Sequence, residues 1–275
     1  MKDKYKFIGL FYLWMFIGIP VSLIWKFLGM NTDSTLSKVI INVLCESLIF
    51  LGSFIVYRKE VIKDFKEFVK TKKVFSEIVK IYIGVLVVNI SASIIMNGLA
   101  DIVNVNLTGS DNNNLVQKYL LRAPILMAMG IVLIGPFYEE VIMRLGLEKG
   151  IKNKKVFAVF SGLIFGIIHV VDSIFILTML PLIGLLIDYI FSLNKSKLFT
   201  TTCIITVLSF VSVSIVVYLS YLNISVDIKE AIYSISYIAM GGYFALMYLK
   251  YKNIFYTIVP HMIVNTIATI FLFFI

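Results

Sequence analysis

The sequence predicts an all-α protein, a polytopic bundle of about eight or nine transmembrane helices. Three observations carry that prediction. Of the 275 residues, 60% are hydrophobic and only 15% are charged, with a mean hydropathy of +0.95, far too apolar for an ordinary soluble domain. Apolar stretches of the ~20 residues needed to cross a hydrocarbon core recur along the chain, separated by short polar breaks. The basic residues are also lopsided, as the positive-inside rule requires of a membrane protein.

Taken in order, the expected spans are 7–28, 38–57, 78–100, 119–146, 156–173, 174–193, 199–221, 231–249 and 254–275. The first is longer than a signal-peptide core and lacks a small-residue cleavage pattern, so a retained span is expected. Only Val171-Asp172-Ser173 divides the fifth from the sixth, which leaves room for a short or re-entrant segment. The whole chain, 1–275, reads as one integral membrane domain with its distinctive polar residues in 119–275. With the N-terminus cytoplasmic, 19 of the 25 Lys and Arg fall on the cytoplasmic side, and an odd number of crossings puts the C-terminus outside.

Between Glu60 and Val79 the apolar residues Val61, Ile62, Phe65, Phe68, Val69 and Phe75 recur at three- and four-residue steps among lysines. The segment 60–77 therefore reads as a basic amphipathic helix on the cytoplasmic leaflet. The formal charge of +9 calls for the lipid bilayer as partner and for no nucleic acid, since basic residues crowd cytoplasmic loops and anionic headgroups. Cys45 and Cys203 share no metal-ligand or redox spacing and read as small core residues.

Ionisable groups inside spans cost a few kcal/mol each on insertion scales, so each calls for a partner or a task. The fourth span carries Gly135-Pro136-Phe137-Tyr138-Glu139-Glu140-Val141-Ile142-Met143-Arg144. Glu140 and Arg144, four apart, share a helix face and can form an ion pair. Glu139 points elsewhere around the helix with no partner in its own span, as a base would. Pro136 removes a helical hydrogen bond and can open or kink the span.

The chain's two histidines both fall in apolar stretches, in Phe165-Gly-Ile-Ile-His169 and Pro260-His261-Met-Ile-Val-Asn265. His261 and Asn265 offer an imidazole and an amide donor on one face. Peptide-bond hydrolysis needs these residue types: a carboxylate to take a proton from water, imidazoles to position that water or a metal, and donors for the oxyanion. Two His and one Glu are also a known ligand set for catalytic zinc. No His-Glu-x-x-His signature is present, so separate helices must converge. Glu46, in the second span, could reach such a site or pair with Arg122.

Glu139-Glu140-x-x-x-Arg144, Phe165-x-x-x-His169 and His261-x-x-x-Asn265, in this order, resemble the three motifs of the CPBP family of CAAX-processing and bacteriocin-processing (Abi-type) intramembrane proteases. The resemblance covers roughly residues 119–171 and 236–275. It implies an endopeptidase in which Glu139 is the base on water, Glu140 and Arg144 support it, His169 and His261 complete the site, and Asn265 helps hold the oxyanion. The family is commonly labelled metalloprotease, and Glu139, His169 and His261 are the ligands if zinc is bound; the expectation is against a tightly held metal. Between His169 and His261 the chain has room for an additional pair of spans, 174–193 and 199–221, beyond a compact family member. The family also leads one to expect a helix after the third-motif span, which here closes at Ile275.

The expected substrate is a membrane-associated peptide or protein, with peptide maturation or bacteriocin self-immunity as the biological role. The Ile-, Lys- and Asn-rich usage points to an AT-rich bacterium and thus to a bacterial plasma membrane. Two rival classes remain at this stage. A proton-coupled transporter would also place Glu, Arg and His in spans but should show internal repeats, and a non-catalytic immunity or scaffold protein would keep the motifs without activity.

Overall fold

The computed structural model describes residues 2–151, 153–169 and 228–274. Among these residues the regular elements are all helical. Five helices are long and apolar enough to cross a membrane, or six if one bent pair forms a single span. The expected spans 174–193 and 199–221 lie outside the described residues, as does the end of 156–173.

The expected first span is the bent pair of α1 (Lys2–Phe16) and α2 (Gly18–Phe27), with 44° between Lys6–Phe16 and Gly18–Phe27. Pro20 explains the break, because its ring has no N–H to give and is tolerated only in a first helical turn. α2 stops at Gly29, whose φ of +74° suits a residue without Cβ while its N–H and that of Met30 bond back to Lys26 and Trp25 carbonyls. Ser34 then caps α3 (Thr35–Lys70), its Oγ accepting from the Ser37 N–H at 3.1 Å.

α3 is nearly twice the span expected at 38–57. It kinks at Tyr57 (φ −110°, ψ 20°) and continues to Lys70, and α4 (Val74–Val103) begins three residues later. The basic segment 60–77 comprises the part of α3 beyond the kink, a turn and the start of α4. Part of its apolar stripe packs on the chain itself: the Phe65 and Phe68 rings lie 5.3 and 5.7 Å from that of Phe255. Asp64 Oδ2 accepts the Ile254 N–H at 2.9 Å, and the Asn253 amide donates to the Asp64 carbonyl at 2.7 Å.

The expected span 119–146 begins later than its hydropathy suggests. Ala123 (φ −146°, ψ 73°) separates α5 (Asp111–Arg122) from Pro124, because a proline disfavours helical geometry in the residue before it. The span then runs as α6 (Pro124–Met129), a π-helical turn at Gly130–Ile134, α7 (Gly135–Glu140) and a second π-helical turn at Val141–Gly146. After it come α8 (Lys154–Ile168), α9 (Ile228–Tyr251) and α10 (Phe255–Phe274).

The chain divides into two compact units, one of Lys2–Leu86, Asn113–Leu147 and Leu246–Ile275, the other of Val87–Asn112 and Glu148–Ala245. At the centre of the first unit is the span 124–146, against which α1, α3 and α10 pack. More than half of its most apolar stretch, 56%, is buried, against 22–28% for the other four spans. Trp14 meets Tyr138 edge-on at 5.2 Å and Phe50 meets Phe137 at 4.5 Å, so aromatic contacts hold this span at the two residues just before Glu139. In the second unit α8 and α9 approach through glycines: a Cβ on Gly162 would sit 2.8 Å from the Ile238 carbonyl oxygen, and one on Gly241 2.6 Å from Phe165 Cβ. Small residues are what permit such close packing of membrane helices.

Candidate active site

The first unit brings four of the expected site residues together. Glu140 and Arg144 form the ion pair their spacing predicts, with Arg144 Nε 2.8 Å from Glu140 Oε2 and Nη2 3.2 Å from Oε1. Neither side chain has any exposure. A guanidinium fork matched to a carboxylate is the geometry that makes a buried pair tolerable. The π-helical turn that starts at Val141 still keeps Arg144 on the face of Glu140, one turn on.

α10 adds the imidazole. His261 Nδ1 lies 3.1 Å from Glu140 Oε1, the oxygen that also receives Arg144 Nη2. A carboxylate held by a guanidinium only accepts, so Nδ1 carries the hydrogen and donates. Nε2 then faces outward from the pair, with Glu139 Oε2 3.8 Å away. That separation exceeds hydrogen-bond length but suits two groups that act on one small molecule between them. Glu139 also differs from its neighbour in access: 12% of its side chain is exposed, against none of Glu140. Adjacent carboxylates thus have different surroundings, one fully buried on Arg144 and His261, the other partly exposed and facing His261 Nε2.

Asn265 sits one turn past His261, and its amide donates to the Ile131 carbonyl at 2.9 Å. The reason lies in the π turn. The Gly135 N–H bonds five residues back to the Gly130 carbonyl, and the next nitrogen, that of Pro136, has no hydrogen to give. The Ile131 carbonyl is thereby deprived of a helical donor, and the Asn265 side chain supplies one. This contact was not legible in the sequence, although Pro136 and Asn265 both were.

Glu46, which sequence reasoning offered either to the site or to Arg122, accepts from Asn42 Nδ2 at 2.8 Å through Oε1. Its Oε2 is buried without a hydrogen-bond partner among the described residues and lies only 2.5 Å from where a Cβ on Gly130 would be. Glu46 and Glu139 are electrostatic neighbours. A glycine at the first position of the π turn is therefore what admits this carboxyl beside the motif span.

His169 belongs to the second unit, at the end of α8. Its Nδ1 stands 2.7 Å from the Phe165 carbonyl oxygen, one turn back. Its ring lies 4.3 Å from the Phe165 ring and stacks on Tyr237 at 4.8 Å and 20°. Sequence reasoning missed Tyr237, since an aromatic in an apolar span carries no signal of its own.

Among the described residues no three His, Cys, Asp or Glu side chains are grouped to hold a metal ion. Within the first unit Glu139, His261 Nε2 and Glu46, an electrostatic neighbour of Glu139, are the donors beside the motif span, while Glu140 is committed to Arg144 and His261 Nδ1. Catalytic zinc draws on three protein ligands with a fourth position open.

Comparison with curated proteins and with solved structures finds no match to this chain. A family model does match, over residues 121–267, which is more than half of the chain and includes every residue of the three motifs. Its description is type II CAAX prenyl endopeptidase Rce1-like. With an all-helical, membrane-spanning architecture and the motif residues Glu139, Glu140, Arg144 and His261 gathered around one buried ion pair, the chain is an integral membrane protein that belongs to the Rce1-like family of type II CAAX endopeptidases.

Proposed function

We propose that this protein is an intramembrane endopeptidase that hydrolyses a peptide bond of a membrane-associated peptide or protein, with Glu139 as general base on water. The observation that carries the reading is the contrast between the two neighbouring glutamates around His261: Glu140 orients the imidazole from Nδ1, and Glu139 faces its Nε2 at 3.8 Å.

In the proposed reaction Glu139 takes one proton from water as the water oxygen attacks the scissile carbonyl carbon. The carbonyl oxygen becomes an oxyanion. His261, protonated on Nε2 and held by Glu140 and Arg144 on its other side, donates to that oxygen, and Asn265 is a further candidate for the same task; His169, expected to complete the site, is a candidate acceptor from the water. Glu139 then passes its proton to the leaving amine, the C–N bond breaks, and carboxylic acid and amine products leave. The orientation of His261 by a buried carboxylate follows the same logic as other carboxylate–histidine pairs, in which the carboxylate fixes the tautomer and stabilises the imidazolium.

The family description points to substrates that carry a C-terminal CAAX-type sequence and a lipid. A bacterial plasma membrane, a cytoplasmic N-terminus and a role in peptide maturation or bacteriocin self-immunity complete the proposal, supported by the basic-residue distribution and residue usage of the chain. The test is cleavage of a panel of membrane-anchored and lipidated peptides by purified protein, with Glu139→Ala and His261→Ala beside wild type. Cleavage by wild type alone supports the reading, and equal cleavage by both variants overturns it.

A further inference from the structure

We propose that Tyr237 is a positioning residue that sets the ring plane of His169. The proposal rests on reading His169 as a site residue of the peptidase, and its structural part can be tested without any cleavage.

The hydrogen bond between His169 and the Phe165 carbonyl sets only part of the ring's placement. The Phe165 carbonyl can only accept, so His169 Nδ1 carries a hydrogen directed at it, and in the neutral ring the lone pair is on Nε2. That bond fixes the tautomer. It does not fix the tilt of the ring, since the imidazole can pivot about the bonded nitrogen. Stacked rings remove that freedom: the face of His169 meets Tyr237 at 4.8 Å with only 20° between planes, and Phe165 adds a second ring at 4.3 Å.

Tyr237 is itself held at its far end. Its hydroxyl oxygen accepts from Asn112 Nδ2 at 3.1 Å, and the neighbouring hydroxyl of Tyr233, one turn earlier on α9, accepts the Gly109 N–H at 2.7 Å. Gly109 in the loop before α5 and Asn112 in its first turn thus tether two tyrosines of α9. The approach that allows the stack depends on glycines: a Cβ on Gly241, one turn after Tyr237, would be 2.6 Å from Phe165 Cβ, and one on Gly162 would be 2.8 Å from the Ile238 carbonyl oxygen. The sequence therefore spends small residues at the α8–α9 contact and places an aromatic ring on the histidine beside it.

The experiment uses the fact that the chain has two histidines. Full-length protein labelled with carbon-13 and nitrogen-15 at histidine, in lipid nanodiscs, gives two imidazole spin systems, and His261→Gln assigns them. Tyr237→Leu should shift the His169 ring protons by removing the ring current above them while leaving those of His261 in place. Tyr237→Phe, which keeps the ring but loses the bond from Asn112, should leave His261 in place and move His169 only as far as release of that tether does. Asn112→Ala, which releases the tether without removing the ring, should move His169 in the same direction by a smaller amount, and it stands in for Tyr237→Leu should that variant not fold. On a cleaved peptide, Tyr237→Leu should lower kcat by about 10- to 100-fold, the usual effect of losing a supporting partner, with KM within about two-fold and with rescue by Tyr237→Phe. His169 signals that stay unmoved in Tyr237→Leu or in its stand-in overturn the proposal, as does a Tyr237→Phe variant as impaired as Tyr237→Leu. If wild type cuts no peptide, the shifts still decide the Tyr237–His169 relation, and the failure belongs to the peptidase reading.

Discussion

His261 Nδ1 and Glu140 Oε1, 121 residues apart in sequence, lie 3.1 Å from one another on a carboxylate already held by Arg144. This contact assigns different work to two adjacent glutamates. Replacing Glu140 by Gln leaves the Arg144 guanidinium buried without its countercharge, and breaking a buried pair from one side costs about 3–5 kcal/mol. Glu139 stands outside that ion pair. Unfolding in detergent, followed by temperature or denaturant, should therefore show Glu140→Gln strongly destabilised and Glu139→Gln close to wild type.

The Asn265 amide and Pro136 should be energetically coupled through the Ile131 carbonyl. Asn265→Ala leaves that carbonyl without a donor, at a cost of about 1–3 kcal/mol for a buried polar group. Pro136→Ala restores a backbone N–H to the π turn. A double-mutant cycle should then show that Asn265→Ala costs less in the Pro136→Ala background than alone, and equal costs in both backgrounds would remove the proline from the explanation.

Gly130 should be intolerant of even one methyl group. A Cβ there would stand 2.5 Å from Glu46 Oε2, so Gly130→Ala must displace a buried carboxyl, and overpacking of this kind costs about 1–3 kcal/mol. Glu46→Ala removes the clash. The paired variant Gly130→Ala/Glu46→Ala should be more stable than Gly130→Ala, as measured by the same unfolding assay.

Much of this was legible in the sequence. Hydropathy located the described spans, and the four-residue spacing of Glu140 and Arg144 foretold their ion pair. The three motifs named the residues that the family match then covered. What the sequence concealed has physical reasons. Hydropathy does not register that Pro124 disfavours helical geometry at Ala123, so 119–146 looked continuous. Periodicity showed an apolar stripe in 60–77 but could not say that Phe255 rather than lipid covers part of it. The contacts of His261 with Glu140, of Asn265 with the Ile131 carbonyl and of Tyr237 with His169 all join helices distant in the chain, and no local pattern encodes them.

Metal removal provides an independent check on the chemistry. The proposed reaction draws on Glu139 and His261 without a metal. Incubation with a strong chelator followed by desalting should leave peptide cleavage unchanged, measured against a zinc peptidase treated in parallel.

The central claim is that Glu139, and not its neighbour, is the base. The most direct measurement is single-turnover cleavage of a lipidated, membrane-inserted peptide by wild type and Glu139→Gln, reconstituted to equal folded content. The account predicts a fall of at least about 10²- to 10⁴-fold, the usual worth of a general base, with substrate binding and thermal stability retained. Cleavage by Glu139→Gln at the wild-type rate would contradict it.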